Sequence, residues 1–189
     1  MNIMDDITII FLTVNRVPKE WVKFHRSILE KAIDGSPVIS ISKEPLDFGM
    51  NLIQTEKESS SNIYFQLLRG VKLAKTPYIA VAEDDTLYPD VHFKFRPPMD
   101  AVAYNLNRFV VNIARTNHCY YFWPRSVNTS LIAPRDLVIQ TLEERYRRYP
   151  NGTPDKYTGE IGRDYIENGL KIKRIKKSEI KSEIPFIQF

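Results

Sequence analysis

The sequence predicts an α/β fold built on a mostly parallel central sheet, and three observations carry that expectation. Short apolar runs rich in β-branched residues stand at Ile7 to Val14, Val38 to Ser42 and Tyr78 to Ala82, the pattern of strands buried on both faces. Between them lie two stretches with apolar residues at helical spacing, so strand and helix alternate. Polar and acidic residues follow the first and third runs, at the carboxyl ends where open α/β sheets receive ligands.

The elements follow in order. Asn15-Arg16-Val17-Pro18 ends the first strand, and the proline suits the first turn of a helix. That helix runs to Ile33, with Trp21, Val22, Phe24, Ile28, Leu29, Ala32 and Ile33 on its apolar face. Asp34-Gly35-Ser36-Pro37 stops it before the second strand. Lys43 to Ser60 is polar and irregular and is expected as a loop. Ser59 to Asn62 offers caps for a helix over Ile63 to Ala74, and Thr76-Pro77 precedes the third strand. Further on, the pattern predicts strands at Phe109 to Ala114 and Thr129 to Ala133 and a helix over Pro134 to Tyr149. Residues 150–162 hold two prolines and three glycines, which implies a flexible loop. A short helix over Arg163 to Asn168, capped by Gly169, and an edge strand over Leu170 to Ile175 complete the reading.

The chain has 189 residues, 43% of them apolar and 26% charged, which suits one folded domain spanning 1–189. Its formal net charge of +4 fits an anionic ligand such as a nucleotide, and equally a weak contact with nucleic acid or acidic lipid. Cys119 is the single cysteine, so no disulfide forms within the chain. It is expected to pack as a small apolar residue. No apolar run approaches the roughly 20 residues of a membrane span, and the N-terminus lacks a signal-peptide pattern. These features imply a soluble, cytoplasmic protein.

Glu83-Asp84-Asp85 is the strongest chemical signal. Three consecutive carboxylates at the end of a buried strand repel one another unless a cation or hydrogen bonds offset the repulsion. Hard divalent ions such as Mg²⁺ or Mn²⁺ take carboxylate oxygens and share their remaining positions with phosphate. Alternate residues of an extended segment point the same way, so Glu83 and Asp85 can face one ion, with His92 of the following loop as a further ligand. A solvated acidic turn is the plain alternative.

In this order of elements the sequence resembles the GT-A glycosyltransferases, most closely family 2. Those proteins open with an apolar strand and a Thr-x-Asn-Arg-like turn, here Thr13-Val14-Asn15-Arg16. A helix with an Asn near its start and an Ala near its end follows, here Asn62 and Ala74. A strand of the form Tyr78-Ile79-Ala80-Val81-Ala82 then leads into an Asp-x-Asp-like motif, here Glu83-Asp84-Asp85, with Pro89-Asp90 beyond. The match covers about residues 7–90. The resemblance implies a Rossmann-like nucleotide-diphospho-sugar transferase fold, with a nucleotide-binding half at 1–90 and an acceptor-binding half at 91–189. It implies a transferase moving sugar from a nucleoside-diphosphate sugar to a hydroxyl acceptor, with inversion and with Mn²⁺ or Mg²⁺. Thr13, Val14, Asn15, Arg16, Asn62, Glu83 and Asp84 would bind the nucleotide sugar. Asp85, with Glu83 and His92, would hold the metal. The family places an acidic general base before a late helix, which makes Asp155, Glu160 and Asp164 the candidates, Glu160 first. The family's usual Glu-Asp pair is absent here. The acceptor is open between a saccharide and a modified DNA base.

Two other readings stand beside this one. A nucleotidyltransferase would show a glycine-rich phosphate loop after its first strand, and none follows Val14. A non-catalytic module binding sugar or nucleotide would keep the fold without the chemistry. Of the remaining features, His25 is expected to be structural and His118 is undecided. Tyr120-Tyr121-Phe122-Trp123 is expected in the core, although such rings also stack on sugars. The basic series Lys171, Lys173, Arg174, Lys176, Lys177 and Lys181 is expected as a solvated face, with nucleic acid or an anionic membrane as its alternative partners.

Overall fold

The computed structural model describes residues 6–112 and 119–189. A seven-stranded sheet forms its centre. In chain order its strands are β1 (Ile7–Leu12), β2 (Val38–Ser42), β3 (Met50–Ile53), β4 (Tyr78–Glu83), β6 (Ala101–Asn105), β9 (Leu131–Pro134) and β10 (Lys176–Ile180). They lie in the order β10-β6-β9-β4-β1-β2-β3. β9 alone runs against its neighbours; the other adjacent pairs are parallel. A smaller sheet, β5-β11-β7-β8, is made of β5 (Thr86–Leu87), β7 (Arg108–Asn112), β8 (Cys119–Phe122) and β11 (Phe186–Gln188).

The pleat of β1 and β4 divides the interior into two cores. Ile10, Ile79 and Val81 point to one face, where they meet Leu67 and Val71 of α2 (Ser60–Leu73) and Val138 and Leu142 of α3 (Arg135–Arg148). Ile7, Ile9, Phe11, Ala80 and Ala82 point to the other, against Leu29 and Ile33 of α1 (Lys19–Ile33) and against Tyr88, Phe93 and Phe186. Alternation within a run of uniformly apolar residues is what a strand covered on both sides requires. Gly70 lets α2 lie close to the sheet, because a Cβ there would stand 2.9 Å from the Ile10 side chain. Among the described residues, no helix is long and apolar enough to cross a membrane.

Several expectations change. The stretch read as a loop after β2 contains β3, an edge strand in parallel register with β2. β6, absent from the sequence reading, is buried along its whole length beside β9. The edge strand expected over Leu170 to Ile175 lies further on, as β10: Leu170 closes α4 (Asp164–Leu170), and residues 171–175 are irregular. Gly169 sits inside α4, and Lys171 takes the left-handed cap at φ 55°. The glycine serves packing, since a Cβ would stand 2.1 Å from the Tyr157 ring. The aromatic run is not core: Tyr120 is 76% exposed, and Tyr121, Phe122 and Trp123 are exposed as well. Residues 113 and 114 of the expected Phe109 to Ala114 strand, and His118, lie outside the described residues. Cys119 is partly buried in β8.

His92 and His25 are buried in the core that faces α1. The His92 ring packs against Tyr88, Phe93 and Phe186, and its Nδ1 lies 3.0 Å from Asn105 Nδ2. Burial pushes its pKa down to about 3 and also lowers that of His25. The His92 ring is neutral in the folded chain at physiological pH and titrates near 6.5 once unfolded. For His92 the unfolded state therefore takes up protons first, and stability falls as pH drops from about 6.5 toward 3, by up to about 1.4 kcal/mol per pH unit; the lowered His25 acts in the same direction. Urea unfolding of wild type and His92→Gln between pH 7 and pH 5 checks this. The variant retains an acceptor for Asn105 and loses stability less steeply with acid.

Candidate functional site

The site begins where β1 and β4 end level with each other, Leu12 opposite Glu83. The next residues of the two strands meet directly. Thr13 Oγ1 donates to the Asp84 carboxylate and accepts from the Asn15 backbone N–H at 2.9 Å. Trp21 of α1 donates from Nε1 to the Asp84 carbonyl at 2.6 Å. Asn128 Nδ2 donates to Glu83 Oε1 at 3.0 Å. Asp85 accepts from Thr86 Oγ1 at 2.8 Å and, on its other oxygen, from Gln188 Nε2 at 3.1 Å. Among the described residues, none of the three carboxylates forms an ion pair with a lysine or arginine. Burial, then the charge of Asp85, raises the Glu83 pKa to about 7. Burial also raises Asp84, while the Thr13 hydrogen bond opposes the shift.

A cleft of about 420 Å³ opens above these acids. Leu12, Thr13, Val14, Arg16, Asn62 and all three carboxylates line it, together with Gln54, Glu58 and Gln66. Of the residues expected to bind nucleotide, Asn15 alone does not line this cleft. It adopts φ 58°, and its Oδ1 accepts from the backbone N–H groups of Lys43 and Glu44 at 2.9 and 3.1 Å. Asparagine tolerates the left-handed region better than most residues, so its part is to latch the turn. Arg16 reaches across the mouth to Glu58, which Lys43 also contacts. The Asn62 side chain joins Gln54 to Gln66 through bonds of 2.9 and 2.8 Å, while its backbone N–H is capped by Ser59.

Glu83 also lines a second cavity of about 300 Å³, which shares Ile63 with the first. Its wall includes Glu160, Arg163, Arg108, Arg125 and Asn128. Glu160 pairs with Arg163 at 2.9 Å. Residues 150–162, expected as flexible, are irregular yet tied down. Arg145 donates from Nη1 to the Gly159 carbonyl at 2.7 Å, and the buried Glu167 accepts from the backbone N–H groups of Gly162 and Ile175 at 2.7 and 2.8 Å. Thus Glu160 faces the same cavity as Glu83. Asp164 does not: it pairs with Arg174 on the surface. Asp155 is exposed in a 3₁₀ turn and lines neither cavity. His92 is corrected too, because its place in the core removes it from the carboxylates. The triad of Glu83, Asp85 and His92 is not assembled, and among the described residues no three His, Cys, Asp or Glu side chains are grouped to hold a metal ion.

The donor set still fits one hard cation supplied partly by its ligand. Asp85 and Glu83 present carboxylate oxygens from one strand tip, held by neutral donors and, among the described residues, with no ion-paired cation. Two carboxylates completed by phosphate oxygens and water are an ordinary way of holding Mg²⁺. Sequence reasoning missed Gln54, Arg108, Asn128 and Gln188. They are single polar residues in otherwise unremarkable segments, brought to the acids only by β3, β7, the segment before β9, and β11.

No family model matches the chain, and no curated protein matches it. Solved structures do. A nucleotidyl transferase from Methanothermobacter thermautotroptrophicus aligns with a TM-score of 0.54 and 12% identity, over 95% of this chain and 88% of its own. A glycosyltransferase involved in the glycosylation of the major capsid of PBCV-1 aligns with a TM-score of 0.51 and 12% identity, over 97% and 92%. A mannosyltransferase from Pyrobaculum calidifontis, in complex with GDP-Man and Mn²⁺, aligns with a TM-score of 0.52 and 12% identity over 97% of this chain, which spans 56% of that protein. Likenesses at such identities establish the fold. The chain has the α/β architecture, with a mostly parallel sheet, that nucleotidyltransferases and GT-A glycosyltransferases share.

The Thr13 to Asp84 bond joins the two strand tips and gives a direct test of the geometry. Thr13→Val removes a hydrogen bond to a charged, largely buried group, worth about 1.5–3 kcal/mol. Urea unfolding at pH 7.5 is expected to show a loss of that order. The loss shrinks as acid protonates Asp84, because the bond then no longer serves a charge.

Proposed function

We propose that the chain is a metal-dependent glycosyltransferase that moves a sugar from a nucleoside-diphosphate sugar to a hydroxyl acceptor. The observation that carries the reading is a run of acids that lines one cavity and, through Glu83, borders a second. One cavity is bordered by the turn after β1, the other by Glu160. In this reading Thr13, Val14, Arg16 and Asn62 border the nucleoside, and Asp85 with Glu83 holds Mn²⁺ or Mg²⁺ against the diphosphate. Bound there, the cation supplies charge neutralisation for the departing diphosphate. Asn128 fixes the Glu83 carboxylate, and Gln188 and Thr86 fix that of Asp85.

Glu160 is assigned as the general base. It accepts the proton of the acceptor hydroxyl while that oxygen's electron pair forms the bond to the sugar's anomeric carbon. The bond from that carbon to the diphosphate breaks, and its electron pair leaves with the nucleoside diphosphate. Arg163 orients Glu160, and Arg145 holds the loop beneath it.

Nucleotidyl transfer uses the same fold. It is less well supported here because the turn after β1 carries Val14, Asn15 and Arg16 where a triphosphate would need glycines with exposed backbone N–H groups.

Calorimetry with UDP and GDP, with and without Mn²⁺, tests the donor site. Asp85→Asn is expected to lose the Mn²⁺-dependent part of binding, about tenfold or more in affinity; undiminished binding overturns the assignment. Glu160→Gln is expected to bind the nucleoside diphosphate as wild type does. It should slow turnover of the donor sugar by about 10²- to 10⁴-fold, the range for a positioned base. Pyrophosphate release from nucleoside triphosphate and a sugar phosphate would instead mark a nucleotidyltransferase.

A further inference from the structure

The cavity beyond Glu83 contains cationic groups that the transfer chemistry does not use. Arg108, at the start of β7, is 5% exposed. Its Nη2 donates to Gln188 Oε1, but its Nε and Nη1 are buried with no hydrogen-bond partner. Arginine stays protonated in proteins, so this is a buried charge with two donors unsatisfied, a costly arrangement unless a ligand completes it. Arg125 lines the same cavity and forms no ion pair among the described residues. Both guanidiniums lie over one indole, that of Trp123, at 4.9 and 5.5 Å from the ring centroid. Cation–π attraction thus gathers two like charges that would otherwise repel.

The other basic residues nearby are already occupied. Arg163 pairs with Glu160, Arg174 with Asp164, Lys176 with Asp100 and Lys177 with Glu179. Among the described residues that line this cavity of about 300 Å³, the basic side chains without an ion pair are therefore Arg108 and Arg125. A small, localised anion fits that distribution. A long polyanion would draw on the basic surface around the cavity, where Arg174, Lys176 and Lys177 already pair with acids.

We infer that Arg108 and Arg125, seated on Trp123, form an oxyanion subsite that selects an acceptor bearing a phosphate or carboxylate group close to its reactive hydroxyl. The inference rests on the proposed transferase reading for the word acceptor; the arginine pair itself can be tested without it. Guanidinium groups recognise both oxyanions by paired hydrogen bonds. The anion would sit on the Glu160 side of Glu83, apart from the cleft bordered by Thr13 and Asn62.

The test uses the intact chain, titrated calorimetrically with glucose 6-phosphate, glucuronate and glucose, each alone and with saturating UDP and Mg²⁺. At least one of the two anionic sugars is expected to bind whether or not UDP is present, and glucose at least tenfold more weakly. Preference between the two tells phosphate from carboxylate. Arg125→Gln, at an exposed position, is expected to weaken the anionic sugar about tenfold with the melting temperature and UDP binding unchanged. Arg108→Lys, which keeps the charge but loses the planar fork, should weaken it as well. Equal binding of glucose, an unaltered affinity in Arg125→Gln, or displacement of the sugar by UDP each overturns the inference; displacement would give the pair to the donor's diphosphate. So would a single-stranded oligonucleotide that binds more tightly than either sugar and loses affinity in Arg125→Gln. Titrations without UDP read the arginine pair even if Asp85→Asn shows the donor assignment to be wrong.

Discussion

The site depends on a repulsion held in place. Glu83, Asp84 and Asp85 leave the end of a central strand together, partly buried, with no ion-paired cation among the described residues. Neutral donors from four other parts of the chain keep the cluster ordered: Thr13 on Asp84, Asn128 on Glu83, and Thr86 and Gln188 on Asp85. Hydrogen bonds favour the charged forms, while burial and mutual repulsion oppose them. The raised pKa of Glu83, about 7, is the result of that opposition. A site balanced in this way gains free energy from any cation it binds, whereas one already filled by lysine or arginine does not.

Much of this was legible before any coordinates. β1, β2 and β4 and the helices between them follow from apolar runs and 3.6-residue spacing. The meeting of Thr13 with the acids follows from parallel order alone, because parallel strands carry their carboxyl ends to one edge. The later half was harder to read for a physical reason. β6 is five residues of small and mixed side chains, Ala101 to Asn105, with no periodicity to mark it and two prolines shortly before it. Its burial comes from lying between β9 and β10, which no local pattern can state. β3 is a four-residue edge strand with both ends exposed, equally quiet in sequence.

The aromatic run shows the converse error. Tyr120 to Trp123 has core composition, yet it lies on the β7-β8 hairpin, with its rings largely open. Composition predicts burial only when another element is available to cover the residues, and here Trp123 is faced by two arginines. His92 failed in the opposite direction. Its closeness in sequence to the acids suggested a ligand, but the 3₁₀ turn at Asp90–Lys94 carries the ring into the core, where Asn105 engages Nδ1.

The arrangement of charge across the two cavities then acquires a direction. On the Thr13 side the acids face mostly neutral polar side chains, with Arg16 held outward by Glu58. On the far side Glu160 has its own arginine, and Arg108 and Arg125 have none. Gln188 bridges the halves, giving one hydrogen bond to Asp85 and taking one from Arg108. A single amide thus connects the most anionic point of the cleft to its most cationic one without neutralising either. An ion pair between Asp85 and Arg108 would have satisfied both groups and left neither to bind a ligand. Gln188 separates them, and the separation leaves each charge available to a partner of opposite sign.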